Sequence, residues 1–445
     1  MRTQRRLPTA CLLAAGLLGL AACSDSTPMP SRTQVGPSPQ LPKPQKQVIP
    51  TVDIAPAVGW PSGRTPSPAA GFQVNAFATG LDHPRWLLVL PNGDVLVAET
   101  NGPKDKSGIT GIKGLGMKAV MKKAGAGVPS AERISVLRDA DGDGVAEIKA
   151  AFLTGLRSPF GMQLVGDWLY VANADELVRL RYTPGALTGP AGPAEHVVDL
   201  PGKGRFNHHW TKSLLASPDG RTLYVGVGSN SNIAENGMEA EAMRAAVLAV
   251  DLATRKVSVY ASGLRNPVGL DWQPDTGALW TVVNERDELG DELVPDYLTS
   301  VKPGAFYGWP YSYYGQHVDR RVKPQAPAMV AKALAPDYAL GSHVAPLGLA
   351  FYTGDALPAR YRHGAFIGLH GSWNRKPLNG YALAFVPFAN GRPSGALEKV
   401  LTGFVNEDGD GMGRPVGVAV DAQGAVLVAD DVGNVVWRVT AAPAR

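Results

Sequence analysis

One short pattern recurs six times along the chain, and no other feature restricts its fold as strongly. A polar lead-in containing Pro or Gly passes into a short apolar strand, a tight turn and a second apolar strand. Asp82-His83-Pro84-Arg85-Trp86 runs into the turn Pro91-Asn92-Gly93, and Arg157-Ser158-Pro159-Phe160 into Gly166-Asp167. His209-Trp210-Thr211-Lys212 leads to Pro218-Asp219-Gly220, and Arg265-Asn266-Pro267-Val268-Gly269 to Pro274-Asp275. Val344-Ala345-Pro346-Leu347-Gly348 reaches Gly364 after a longer gap, and Gly413-Arg414-Pro415-Val416-Gly417 leads to Asp421-Ala422-Gln423-Gly424. A lone four-stranded blade leaves its faces exposed, whereas radial stacking buries them and leaves only short edges. The expected fold is therefore all-β, a six-bladed β-propeller over residues 71–445 with its lead-ins gathered at one end of the central channel. A two-sheet sandwich with coincidental turns is the alternative, because turn chemistry alone is a loose signal.

What precedes the repeats has a different character. Arg2, Arg5 and Arg6 stand before an apolar run from Leu7 to Ala22 that ends at Leu20-Ala21-Ala22-Cys23. This is the grammar of a secretory signal over 1–22, and its end resembles a bacterial lipobox in which Cys23 is lipidated. The expected location is the periplasmic side of a bacterial membrane, the outer membrane foremost, with the anchor seated in the membrane surface. From Ser24 to Ala70 fall eleven of the 37 prolines, so 23–70 reads as an extended Pro-rich tether with too little apolar surface to fold. The only other cysteine is Cys11, which excludes disulfides and thiolate chemistry from the propeller. Removing the three signal arginines leaves 40 basic against 39 acidic residues, a balance that implies no nucleic-acid partner.

Two insertions interrupt the repeats. Asn101–Ser130 is rich in Gly and Lys, and Asp287–Ser342 contains Phe306-Tyr307-Gly308-Trp309-Pro310-Tyr311. Long loops on a rigid scaffold commonly carry function, so both are expected to wall a pocket. His208, His209, Lys212, Arg265, Asn266, His343, Arg375 and Arg414 collect at or near the lead-ins, and a ring of bases calls for a multiply charged anion. The segment Asn284 to Glu292 concentrates five carboxylates beside a glycine, a composition that suits Ca²⁺ or simply an exposed acidic loop. Asp139-Ala140-Asp141-Gly142-Asp143-Gly144 begins like an EF-hand loop, but its twelfth position is Ala150. It reads as a hairpin turn.

With these residues in view, the chain from about residue 71 onwards resembles the soluble glucose dehydrogenases that depend on pyrroloquinoline quinone (PQQ), and their sorbosone dehydrogenase branch. Gly304-Ala305-Phe306-Tyr307-Gly308-Trp309-Pro310 is similar to the Gly-x-Tyr-Gly-Trp-Pro signature of that family. The resemblance implies that His209, nine residues before Pro218, is the general base, and that Arg265 and Asn266 contact the quinone, with Arg265 a second catalytic residue that stabilises the negative charge developing on the quinone oxygen. It implies cofactor contacts for Arg414, with Val416 standing where a second arginine is usual, and it suggests Arg375 as the replacement cation with His343 nearby. It also implies calcium held at Asp287 and Glu288, chiefly through their carbonyl oxygens. The chemistry implied is oxidation of an aldose, a sorbosone-like aldehyde or a related sugar, with hydride passing to the quinone and electrons then to a cytochrome or membrane quinone. Two rivals share the architecture: a calcium-dependent lactonase, disfavoured by an expected lining of Arg and His, and a propeller that only binds.

Overall fold

A computed structural model describes residues 33–45, 51–103, 119–204 and 206–443. The signal, Cys23 and the first part of the tether lie outside these residues, as does the middle of the Gly- and Lys-rich insertion. The fold is the expected six-bladed β-propeller. Blade 1 is built from Pro84–Val89, Val95–Glu99, Arg133–Arg138 and Ile148–Leu153. Blade 2 uses Met162–Val165, Trp168–Ala172, Glu176–Arg181 and Glu195–Asp199, and blade 3 uses Lys212–Ala216, Thr222–Val227, Ala246–Asp251 and Val257–Ser262. Blade 4 contains Pro267–Trp272, Leu279–Val283, Pro295–Ser300 and Tyr338–Ser342, and blade 5 contains Pro346–Phe351, Gly364–Leu369, Ala382–Ala389 and Glu398–Thr402. Blade 6 takes three strands from the end of the chain, Pro415–Val420, Val426–Asp430 and Val435–Ala441, and its outer strand, Phe72–Thr79, from the beginning. Pairing the two ends of the chain closes the ring, so loss of either end would open every blade interface in turn.

The repeated Pro-x-Gly of the lead-ins has a packing reason. Proline opens the inner strand of blades 1, 4, 5 and 6 at a position followed by a bulge, where no ladder donor is needed. In blades 4, 5 and 6 the glycine two residues later sits where neighbouring inner strands approach closely, whereas blade 1 has Trp86 at that place. A Cβ at Gly348 would strike the backbone of Val416 and Val418, and one at Gly417 would strike Arg85 and Trp86. The faces between blades are filled by continuous apolar clusters, one of which joins Trp86, Ile134, Phe160 and Leu169 across blades 1 and 2. Burial of this kind contributes roughly 25 cal/mol per Å² and dominates the stability.

The extended tether to residue 70 is corrected in part. Val35–Gly36 adds to the outer edge of blade 4 and Ser67–Pro68 to that of blade 5, while Ala55 is fully buried. The stretch has too few apolar residues for a core of its own, but it needs none when existing sheet edges offer unpaired backbone groups.

Candidate active site

All six lead-ins open into one cavity of about 1840 Å³ at a single end of the propeller. In three of them a non-glycine residue just ahead of the inner strand adopts a left-handed backbone, His83 (φ 54°), Ser158 (φ 46°) and His343 (φ 58°). These kinks turn the chain sharply where it meets the funnel, and left-handed non-glycine residues persist only where the surroundings enforce them.

His209 lines this cavity. Its Nδ1 lies 2.8 Å from the Ser229 carbonyl oxygen and 3.1 Å from Ser229 Oγ. A carbonyl can only accept, so Nδ1 carries the proton and Nε2 is left as the basic nitrogen. Burial, followed by the nearby His208 and Arg265, holds the ring well below its ordinary pKa, and at neutral pH it is uncharged.

Arg265 and Asn266 also line the funnel. The Arg265 guanidinium donates to Glu285 O (2.6 Å), Asn232 O (3.2 Å), Asn232 Oδ1 (3.0 Å) and Asp287 Oδ2 (3.1 Å). Asp287 Oδ1 accepts from Asn374 Nδ2 at 2.7 Å and lies 3.6 Å from His343 Nδ1. Burial would raise the Asp287 carboxyl, but Arg265 and His343 outweigh it and pull the group down to about 2. Burial likewise opposes protonation of His343, and Asp287 overcomes it, so its pKa is raised. Asp296, beneath this group, accepts from Glu285 N and Ala345 N, and burial pushes its carboxyl up to about 7.

Across the funnel lies a second group. Asp431 accepts from Arg85 Nη1 at 2.8 Å, lies 2.9 Å from His370 Nε2 and 3.5 Å from His83 Nε2. Its carboxyl is held far below the usual range, because His370, His83 and Arg85 together outweigh burial. Burial lowers His83 to about 4 and lowers His370 as well. Arg414, 3% exposed, donates to Tyr381 OH at 3.2 Å and stacks over that ring.

Several sequence expectations need correction. Arg375 does not line the cavity: its guanidinium donates to both Glu292 carboxylate oxygens at 2.7 and 2.8 Å and to Asp291 O. The cation that stands beside Arg414 is Arg85, supplied by blade 1. Lys212 is fully buried in its inner strand, where Nζ donates to Trp210 O, and burial holds it well below its ordinary pKa. Trp309 and Tyr307 are core, with Trp309 Nε1 supporting the pocket only by donating to Asn232 O. The flanks of the Asn101–Ser130 insertion do wall the cavity, as expected. The lining is mixed rather than cationic, since Glu132, Asp175, Asp287, Asp296 and Asp431 all contribute carboxylates.

The residues missed, His370 and Asp431 above all, lie just beyond the ends of the second strands of their blades. In an antiparallel hairpin the start of the first strand faces the end of the second, so reading both positions in every repeat would have found them.

Asn266 Oδ1, His83 Nε2, Arg85 Nε and Arg414 Nε are buried and lack a hydrogen-bond partner, and buried polar groups without partners are rare and costly. Asp175 Oδ1 and Glu285 Oε1 in the same lining are also unpartnered, so the six comprise three nitrogens of Arg or His, which fit a ligand bearing several carboxylates, and three oxygens, which fit hydroxyl donors of a substrate. For calcium the donors do not fit as arranged. Asp287 and Glu288 do line the cavity, but Asp287 O already accepts from Arg321 Nη1 (3.0 Å) and Asn232 Nδ2 (3.3 Å), and Glu288 O from the same Arg321 nitrogen (3.2 Å). The Asp139 turn is the expected hairpin connection; Glu147 joins Asp139, Asp141 and Asp143 with oxygens within 4.8 Å of one another, and all four accept backbone N–H groups of their own turn.

Comparison with known proteins places this geometry. A sequence profile of a family described as TrAA12-like matches residues 66–304 and 322–442. An uncharacterised protein of Borreliella burgdorferi is 27% identical over 292 residues, 64% of this chain and 76% of that protein. The aldose sugar dehydrogenase of Escherichia coli is 30% identical over 114 residues, 25% of this chain and 29% of its own. Among solved structures, the holo PQQ domain of pyranose dehydrogenase from Coprinopsis cinerea superposes with a TM-score of 0.69 at 19% identity, covering 87% of this chain and 100% of that one. A calcium structure of the family AA12 carbohydrate-active enzyme from Trichoderma reesei gives 0.68 at 19% identity, with 88% and 99% covered.

Proposed function

The chain belongs to the TrAA12-like family, and from that premise we propose that it is a PQQ-dependent dehydrogenase of a sugar or related aldehyde. The observation that carries this reading is the set of unsatisfied buried polar atoms on Arg85, Arg414, His83 and Asn266, gathered round one funnel. PQQ supplies an ortho-quinone able to accept a hydride. Arg85 and Arg414 would hold its carboxylates, with His370 beside them. Arg265, already bound to Asn232, Glu285 and Asp287, fixes the loop that shapes the opposite wall. His209 Nε2 takes the hydroxyl proton of a lactol or of a hydrated aldehyde as the hydride leaves the same carbon, and the C–O bond becomes a carbonyl. Its Nδ1–H, donated to Ser229 O, keeps the ring in the tautomer that this step requires. The substrate class is an aldose, a sorbosone-like aldehyde or a related sugar, and the electrons pass on to a cytochrome or membrane quinone. Calcium belongs to this reading as an added metal whose seat is not assigned. The basic start, apolar run and Cys23 support a lipid anchor on the periplasmic side of a bacterial membrane.

The test is dye reduction by the purified protein with PQQ, with and without Ca²⁺, over a panel of aldoses and aldehydes. The expected result is activity that needs PQQ and drops by about 10²–10⁴-fold in His209→Ala while PQQ binding persists. Absence of PQQ binding at micromolar cofactor would overturn the reading and bring the lactonase forward.

A further inference from the structure

Composition assigns residues 51–60 to a tether leading away from the propeller, yet in the structure they run across the rim of the funnel and bond to three of its walls. Asp53 N donates to Trp373 O of blade 5 at 3.0 Å, and Ala57 N to Lys123 O in the blade 1 insertion at 2.9 Å. On the side of blade 6, Val58 N donates to Gly411 O at 2.9 Å and Gly411 N to Pro56 O at 2.7 Å. The seat is shaped for this segment. The Trp60 indole lies edge-on to Phe404 and Trp437, and a Cβ at either Gly413 or Gly433 would collide with it. A Cβ at Gly125 would likewise collide with Ala57.

The same residues reach the pocket chemistry. Trp60 Nε1 donates to Asp430 Oδ2 at 2.7 Å, and Asp430 Oδ1 accepts the backbone N–H of Arg414 at 2.7 Å. The Ala55 carbonyl lies 3.5 Å from Arg414 Nη2. At the other end of the segment, Thr51 and Val52 line the cavity itself. Segment 51–60 thus supports a cofactor-facing arginine from behind and contributes part of the cavity wall.

We propose that residues 51–60 form a strap that retains the cofactor, so that release requires the strap to leave its seat. This rests on the reading of the funnel as a PQQ site. Prolines at 56 and 61 restrict the unfolded segment and lower the entropy lost when it docks. Each main-chain bond adds a net stabilisation of about 0.5–1.5 kcal/mol, so four bonds and the seated indole make undocking rare without making it impossible.

The experiment uses the full chain loaded with PQQ and follows loss of bound quinone absorbance after rapid dilution. Two variants are compared with the parent: one with residues 51–57 replaced by an equal length of Gly and Ser, and Trp60→Phe, which keeps the ring but loses the bond to Asp430. The expected result is release at least tenfold faster in the first and several-fold faster in the second. Unchanged release in a strap replacement that melts with the parent overturns the proposal while leaving the PQQ reading intact. If that replacement does not fold, unchanged release in Trp60→Phe overturns it instead. A parent protein that takes up no PQQ sinks both ideas at once.

Discussion

Two faces of the funnel are built from the same kinds of side chain and end in opposite states. On the blade 4 side, Arg265, Asp287, His343 and Asn374 satisfy one another and every Arg265 nitrogen has a protein acceptor, so the cationic donors there are used up and only the oxygens of Asn266 and Glu285 stay unpartnered. On the side of blades 1 and 6, Arg85 and Arg414 each keep a buried nitrogen without a partner. A saturated network makes a rigid wall, whereas an unsaturated one stores a desolvation cost that a bound anion relieves. The difference separates scaffold from ligand site without reference to which residues are charged.

The comparison breaks most visibly at Arg265. Arg265→Met strands Asp287 and several carbonyl oxygens, and removing one partner of a buried ion pair costs about 3–5 kcal/mol. Urea unfolding of the protein without cofactor should register that loss, and an unchanged midpoint would show the wall is not self-supporting. At Arg414 the balance reverses. Arg414→Gln should weaken PQQ binding by roughly 30-fold, equivalent to about 2 kcal/mol for a charge-assisted contact, with only a small shift in the unfolding midpoint. A pure stability loss with affinity intact would assign Arg414 to scaffold.

The pH profile sharpens the contrast further. Because the His209 pKa is lowered, the ring stays neutral as pH falls through its ordinary value of 6.5, so kcat/KM should remain flat there and bend only at lower pH. An acid limb centred at or above 6.5 that persists in Asp296→Asn, which removes the carboxyl held near 7, would exclude His209 as the base. Asp287, depressed to about 2, contributes stability that is complete above the ordinary carboxylate value of 3.8 and is lost as pH falls towards 2. Asp287→Asn should flatten the melting temperature over that window. The smallest effect on the cofactor belongs to Arg375→Ala, which should leave PQQ affinity unchanged and cost about 3 kcal/mol of stability through its largely buried pair with Glu292. A tenfold weaker affinity would restore Arg375 to the site.

Much of this was legible in the chain itself. Alternating apolar strands and Pro-Asp-Gly turns are local signals, set by backbone dihedrals and by which face of a strand must be buried, so blade number and the gathering of the lead-ins at one end follow from the sequence alone. His209, Arg265, Asn266, His343 and Arg414 were found because they sit at a fixed place in that repeat. Their pairings were not legible. Arg375 turns to Glu292, Lys212 sinks into its strand, Arg85 and Asp431 meet across the join between the first and last blades, and a proline-rich segment that could not fold alone becomes a wall of the pocket. Each outcome depends on distances between residues far apart in sequence, and only the closed ring brings those groups within reach of a hydrogen bond.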